Sequence, residues 1–69
     1  MPPMTITING ETRPARPGST IAELLSAMEV KAQHVAVEVN QEIVPRSRHA
    51  EHCLREGDRV EVVTLVGGG

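Results

Sequence analysis

Residues 4–8, Met-Thr-Ile-Thr-Ile, alternate cleanly, placing Met4, Ile6 and Ile8 on one face and Thr5 and Thr7 on the other, as in a half-buried β-strand. Asn9-Gly10 follows. It is a strong two-residue hairpin signal, because both positions of a type I′ turn need positive φ. Residues 11–13 are therefore predicted to return antiparallel as a second strand. Pro14 and Pro17 donate no ladder hydrogen bond, so pairing is expected to fail there and the strand to lie at an edge.

Pro17-Gly18-Ser19 breaks the chain ahead of a helix. Thr20-Ile-Ala-Glu23 has the form of a capping box, with Ser19 as a competing cap one residue earlier. Ile21, Leu24, Leu25 and Met28 then recur at i, i+3, i+4 and i+7, one apolar stripe. Burial of such side chains contributes about 1.5–3 kcal/mol each, so the helix is expected to be the main core-former. Leu24→Ala is expected to cost about 2–5 kcal/mol.

After a linker at residues 29–34, Val35, Val37 and Val39 alternate with Ala36 and Glu38 as a third strand. Asn40-Gln41 reads as a turn into Glu42-Ile43-Val44, which Pro45 ends. Residues 46–55 are polar, with Leu54 as their expected anchor, and Gly57-Asp58 turns the chain into Arg59-Val-Glu-Val-Val-Thr-Leu-Val66. The order β-β-α-β-β-β predicts an α+β, β-grasp (ubiquitin-like) fold. Its mixed sheet of four to five strands wraps around one amphipathic helix, with the last strand central and parallel to the first. Residues 1–66 are read as one domain, and Gly67-Gly68-Gly69 as a flexible tail.

At 69 residues such a domain has a small core, with no room for a catalytic cleft. Phe, Tyr and Trp are absent, so the core is aliphatic and the chain lacks platforms for stacking on nucleic-acid bases. A formal net charge of −2 gives no reason to expect a phosphate-backbone partner. Cys53 is the only cysteine, which excludes an internal disulfide and fits a reducing compartment. No run has the length of a membrane span and no signal-peptide pattern is visible. The expectation is a small, soluble, cytoplasmic monomer without nucleic-acid or membrane partners.

The tail carries the candidate chemistry. Three glycines present no side chains, so they pass through a channel too narrow for any other residue and hold a carboxylate about 10 Å beyond the last packed side chain. A carboxylate on so thin a tether is suited to be a substrate in another protein's active site. The competing reading is an inert Gly linker. Beside the tail, Val63 and Leu65 share the parity of Glu61, opposite Val60 and Val62. They form either an outward docking patch or the sign of a bulge that re-registers the strand.

The residues that place the chain in a wider context are Ile8-Asn9-Gly10, Thr20-Ile21-Ala22-Glu23-Leu24-Leu25, Val37-Glu38-Val39-Asn40 and Ile43-Val44-Pro45-Arg46-Ser47. They continue with residues 54–63, Leu-Arg-Glu-Gly-Asp-Arg-Val-Glu-Val-Val, and the ending Val66-Gly67-Gly68-Gly69. In this order and spacing, over essentially the whole length, the chain resembles the ThiS family of thiamine-biosynthesis sulfur carriers. His49 departs from the family, many of whose members have an aromatic residue there, and Met1-Pro2-Pro3 extends past a typical start.

The resemblance implies a protein-borne co-substrate rather than an enzyme. Gly69 is adenylated by an E1-like adenylyltransferase (ThiF) that uses ATP, while the chain itself binds no cofactor. A persulfide sulfur donor then converts Gly69 to a thiocarboxylate, with Gly67 and Gly68 threading the partner's site. Thiazole synthase (ThiG) receives the sulfur. The chemistry has a plain logic, since a carboxylate is a poor electrophile until it bears a leaving group such as AMP. The alternatives are a carrier for molybdopterin or another pathway, a ubiquitin-like modifier, and a plain interaction module.

Other clusters are weaker. His49, His52 and Cys53 fall at i, i+3 and i+4, but three local ligands fall short of the four of a structural zinc site, and no metal is expected. The bland reading is a polar turn with Cys53 half-buried. Arg46, Arg48, Arg55 and Arg59 form either a basic strip or a scatter of solvated charges.

Overall fold

The computed structural model describes residues 2–65. Their strands are β1 (Met4–Ile8), β2 (Glu11–Ala15), β3 (Val35–Val39), β4 (Glu42–Val44) and β5 (Arg59–Thr64), with one helix, α1 (Ile21–Ala27). Short 3₁₀ turns span Ala32–His34 and Arg46–Arg48. The five strands form one sheet in the order β2-β1-β5-β3-β4, in which only the β1–β5 pair is parallel. The mixed sheet, one helix and central last strand are the predicted β-grasp arrangement.

Local chemistry accounts for the elements. Asn9 (φ 50°) and Gly10 (φ 86°) both adopt the positive φ of the type I′ turn joining β1 to β2. Thr20 caps α1: its hydroxyl accepts from Glu23 N–H at 3.2 Å, and the Glu23 carboxylate accepts from Thr20 N–H at 2.9 Å. Ser19, the competing cap, instead donates its N–H to Arg16 O and accepts from Leu54 N–H. The C-terminal end of α1 closes as a Schellman motif, with Val30 N–H on Leu25 O and Glu29 N–H on Ser26 O. Glu29 takes the left-handed position of that motif with φ 61°.

Three expectations need correction. Strand β2 does not stop at Arg13, because the ladder runs on through Thr5↔Pro14 to Met4↔Ala15. Counting back from the hairpin, Thr5↔Pro14 is a non-hydrogen-bonded pair, so the missing N–H of Pro14 would have faced outward from the edge of the sheet. The ladder loses nothing.

The helix is not the main core-former. Of the buried apolar side chains, Ile21 and Leu25 come from α1 and Leu54 from the loop between β4 and β5, whereas Met4, Ile6, Ile8, Val35, Val37, Val39, Val44 and Val60 all come from strands. Leu24 and Met28 only border this core. A short helix of two turns lies across a wider sheet, so the sheet supplies most of the apolar area. The full truncation penalty expected at Leu24 belongs instead to Leu25.

Cys53 is exposed, not half-buried. It forms an isolated bridge with Thr20, which aligns its backbone to the cap of α1 while its side chain faces solvent. Among the described residues, no helix is long and apolar enough to cross a membrane.

Candidate functional site

The site is built on β5, and two asparagines hold that strand from opposite sides. Each occupies the first position of a hairpin turn, Asn9 with φ 50° and Asn40 with φ 54°. On the β1 side, Asn9 N–H donates to Val60 O at 2.9 Å. Its carboxamide then accepts from Val62 N–H at 2.8 Å and donates to Val62 O at 3.2 Å. A side-chain amide thus stands where the next peptide of β1 would have been. On the β3 side, Asn40 N–H donates to Arg59 O at 2.7 Å and its carboxamide oxygen accepts from Arg59 N–H at 3.0 Å. Its amide nitrogen also donates to Asp58 Oδ1 at 3.0 Å.

The entry to β5 is fixed in the same manner. Asp58 is buried, and its second carboxylate oxygen accepts from Arg55 N–H at 2.8 Å, closing the turn at Gly57. Gly57 N–H donates to Thr5 O at 2.7 Å and Thr7 N–H to Asp58 O at 2.9 Å. Every buried polar group here has a partner, which suits a strand that must leave the sheet along one direction.

Beyond Val62 the strand pairs only with β3, in an unbroken register from Val39↔Val60 to Val35↔Thr64. No bulge intervenes, so Val63 and Leu65 stay on the face away from the core, 50% and 61% exposed. Ile43, 70% exposed, joins them on that face through the rows Glu38↔Ile43 and Glu38↔Glu61. The sequence reading named Val63 and Leu65 but missed Ile43. Its parity opposite buried Val44 was the available signal. Leu65, Ile43, Ala36, Pro45 and His49 border a shallow apolar groove of about 340 Å³ where β4 falls short of the start of β3. Gly67, Gly68 and Gly69 lie outside the described residues.

His49 is 4% exposed, its Nε2 lies 3.1 Å from Val44 O, and its Nδ1 has no partner among the described residues. As a donor to that carbonyl, the buried ring is held against β4. It therefore does not converge with exposed Cys53. Among the described residues, no group of three or more His, Cys, Asp or Glu side chains is placed to hold a metal ion. Arg46, Arg48, Arg55 and Arg59 are all exposed, and the ion pair found among the described residues, Arg13–Glu11 at 3.1 Å, involves none of them.

Comparison with known proteins places this geometry in a family. The model of the ThiS family matches residues 6–69. The sulfur carrier protein ThiS of Escherichia coli is 32% identical over 66 residues, covering 96% of this chain and 100% of that protein. The ThiS of Thermus thermophilus is 44% identical over 62 residues, covering 90% of this chain and 95% of its own. A crystal structure of a thiamine biosynthesis protein (ThiS) from Geobacter metallireducens superimposes with a TM-score of 0.83 at 35% identity, covering 96% of this chain and 100% of that one. A thiazole synthase of Paramagnetospirillum magneticum contains a segment 42% identical over 66 residues, and this chain spans only 20% of that protein's length. A family match over residues 6–69, curated relatives covered almost end to end and a shared fold agree: the chain belongs to the ThiS family of sulfur carrier proteins.

Proposed function

We propose that the chain carries sulfur as a thiocarboxylate on Gly69 and delivers it to thiazole formation in thiamine biosynthesis. The observation that supports this best is the construction of β5: a central strand, clamped by Asn9 and Asn40, that extends beyond the end of β1 and precedes the Gly-Gly-Gly sequence. Rigid anchoring followed by residues without side chains is what a substrate delivered into another protein's active site requires.

In the proposed cycle the Gly69 carboxylate attacks the α-phosphorus of ATP on an E1-like adenylyltransferase, releasing pyrophosphate and leaving an acyl-adenylate. A persulfide sulfur attacks the acyl carbon and expels AMP, and a thiol then cleaves the S–S bond to leave the thiocarboxylate. The carrier contributes no acid or base, only placement. Val63 and Leu65, with Ile43, form the surface on which the partners dock, since exposed apolar side chains grouped beside a working terminus mark an interaction site. A thiazole synthase partner is supported by the thiazole synthases that contain a segment similar to this chain.

The test is reconstitution with the adenylyltransferase, ATP, a persulfide donor and the thiazole synthase. Deletion of Gly68-Gly69 is expected to abolish thiazole formation while leaving the melting temperature unchanged. Full activity of the truncated chain would point to the plain interaction module.

A further inference from the structure

We propose that Asn9 is a modification site: its side-chain amide is lost through a cyclic imide formed with Gly10, and the two bonds it makes to Val62 govern how fast this happens. The inference concerns the isolated chain and does not depend on the carrier reading.

An asparagine followed by glycine meets least hindrance in this reaction, because the attacking peptide nitrogen belongs to a residue without a Cβ. Asn9 and Gly10 are both exposed, and among the described residues nothing lies within 4 Å of where a Cβ on Gly10 would stand. The Gly10 nitrogen attacks Asn9 Cγ, the Cγ–Nδ2 bond breaks, and the amide nitrogen leaves as ammonia with the proton that Gly10 N–H gives up. Water then opens the ring at one of its two carbonyl carbons. Opening at Cγ gives aspartate. Opening at the backbone carbonyl gives isoaspartate, in which the chain runs through Cγ and is longer by one methylene. Water is the only co-reactant.

The fold opposes the first step. Asn9 Oδ1 accepts from Val62 N–H at 2.8 Å and Nδ2 donates to Val62 O at 3.2 Å, so the carbon to be attacked and the nitrogen that must leave are both held on β5. Those bonds must open before Cγ can swing over its own next peptide nitrogen. Asn40 is the internal comparison. It has the same left-handed turn position, φ 54°, and its carboxamide is likewise engaged, by Arg59 and Asp58, but Gln41 follows it. A side chain on the attacking residue hinders approach, so of the chain's two asparagines Asn9 alone is expected to react. The sequence has no Asp-Gly step to supply isoaspartate from a second place.

Neither product restores the rung between β1 and β5. Aspartate keeps an acceptor for Val62 N–H but sets a carboxylate oxygen against Val62 O with no proton between them. Isoaspartate lengthens a two-residue turn whose twist matches the strands it joins. In either form the hold of β1 on β5 retreats toward Val60, whose carbonyl accepts from Asn9 N–H.

The experiment ages the wild-type chain at mildly alkaline pH, folded in buffer and unfolded in guanidinium chloride, and follows peptide masses and labelling by an isoaspartyl methyltransferase. An exchange of NH for O confined to Asn9 is expected, with isoaspartate among the products. The reaction should be at least about tenfold slower in the folded chain, as two bonds that must open first imply. Its rate should also rise in step with Val62 amide hydrogen exchange as denaturant is added below the unfolding transition. In the isoaspartate form, separated by chromatography, Val62 N–H should exchange at least about tenfold faster than in the fresh chain. Val63 N–H, paired with Ala36 in the ladder to β3, should keep its protection. Equal rates in the folded and unfolded chain, or a folded rate that does not follow Val62 exchange, overturn the inference. So do reaction at Asn40 as fast as at Asn9, and no mass change even in the unfolded chain. Should the isoaspartate form be unfolded, the rates in the wild-type chain decide.

Discussion

Asn9 and Val62 are 53 residues apart in the chain, yet the carboxamide of one makes both backbone hydrogen bonds of the other, at 2.8 and 3.2 Å. The turn residue that reverses β1 into β2 is therefore also the last rung between β1 and β5. One side chain sets the hairpin and the height at which the strand leading to Gly69 leaves its neighbour.

Asn9→Ala removes both bonds and places alanine at a φ of 50°. The expected loss is about 2–3 kcal/mol, two hydrogen bonds near 1 kcal/mol each plus the left-handed backbone. Asn9→Asp keeps the acceptor for Val62 N–H and loses the donor, so its loss should be about half. Urea unfolding measures both. Equal losses for the two variants would show that the turn conformation, and not the rung to Val62, is what Asn9 supplies.

Glu29 occupies the left-handed position of the α1 Schellman motif, φ 61°, where glycine is the usual residue. Glu29→Gly should stabilise the fold by about 1 kcal/mol, because relief of the left-handed strain exceeds the entropy that glycine adds to the unfolded chain. Thermal melting reads this directly. A lower midpoint would mean that the Glu29 side chain makes a contribution its exposed position does not suggest.

His49 sets a polar ring almost wholly inside the fold. Its Nδ1 is buried without a partner among the described residues, a condition that costs about 1–3 kcal/mol. His49→Phe puts a larger ring beside the groove that His49 borders, removes that atom and gives up only the bond to Val44 O, an oxygen that the ladder to Val37 also uses. Stability should rise by about 1 kcal/mol, while His49→Ala should lower it by about 3 kcal/mol through the cavity it leaves. Chemical denaturation separates the cases, and a destabilised His49→Phe would show that the Val44 bond outweighs the orphaned nitrogen.

Much of this was legible from the chain alone, because the signals were local. Period-two alternation found β1 and β3, the Asn9-Gly10 pair found the hairpin, and Thr20 with Glu23 found the start of α1. What escaped depended on neighbours in space. Whether Pro14 interrupts a ladder turns on which side of its pair the missing N–H faces, and that is set by the edge position of β2. The smaller share of α1 in the core reflects the width of the sheet across from it, which no helical period encodes. A histidine reads as polar surface until the fold closes over it. The asparagine clamps join residues far apart in the chain, and Ile43 entered the exposed face only once β4 was seated beside β3. The exposure of Val63 and Leu65 was anticipated as one of two possibilities, and the unbroken register with β3 decided between them.

The exposed face itself is open to test. Val63 and Leu65 are exposed, so Val63→Glu and Leu65→Glu should each change stability by less than about 0.5 kcal/mol. Each should nevertheless weaken association with the adenylyltransferase by at least about tenfold, as titration calorimetry would show, since a charge placed in an apolar interface must be desolvated. Undiminished binding by both would move the docking surface elsewhere.

Whether Gly69 carries sulfur can be read from the intact mass of the chain isolated from cells with its own biosynthetic partners. A species heavier by one sulfur-for-oxygen exchange is expected, localised to Gly69 by fragmentation and lost on mild hydrolysis. An unmodified mass throughout, even after incubation with ATP, the adenylyltransferase and a persulfide donor, would contradict it.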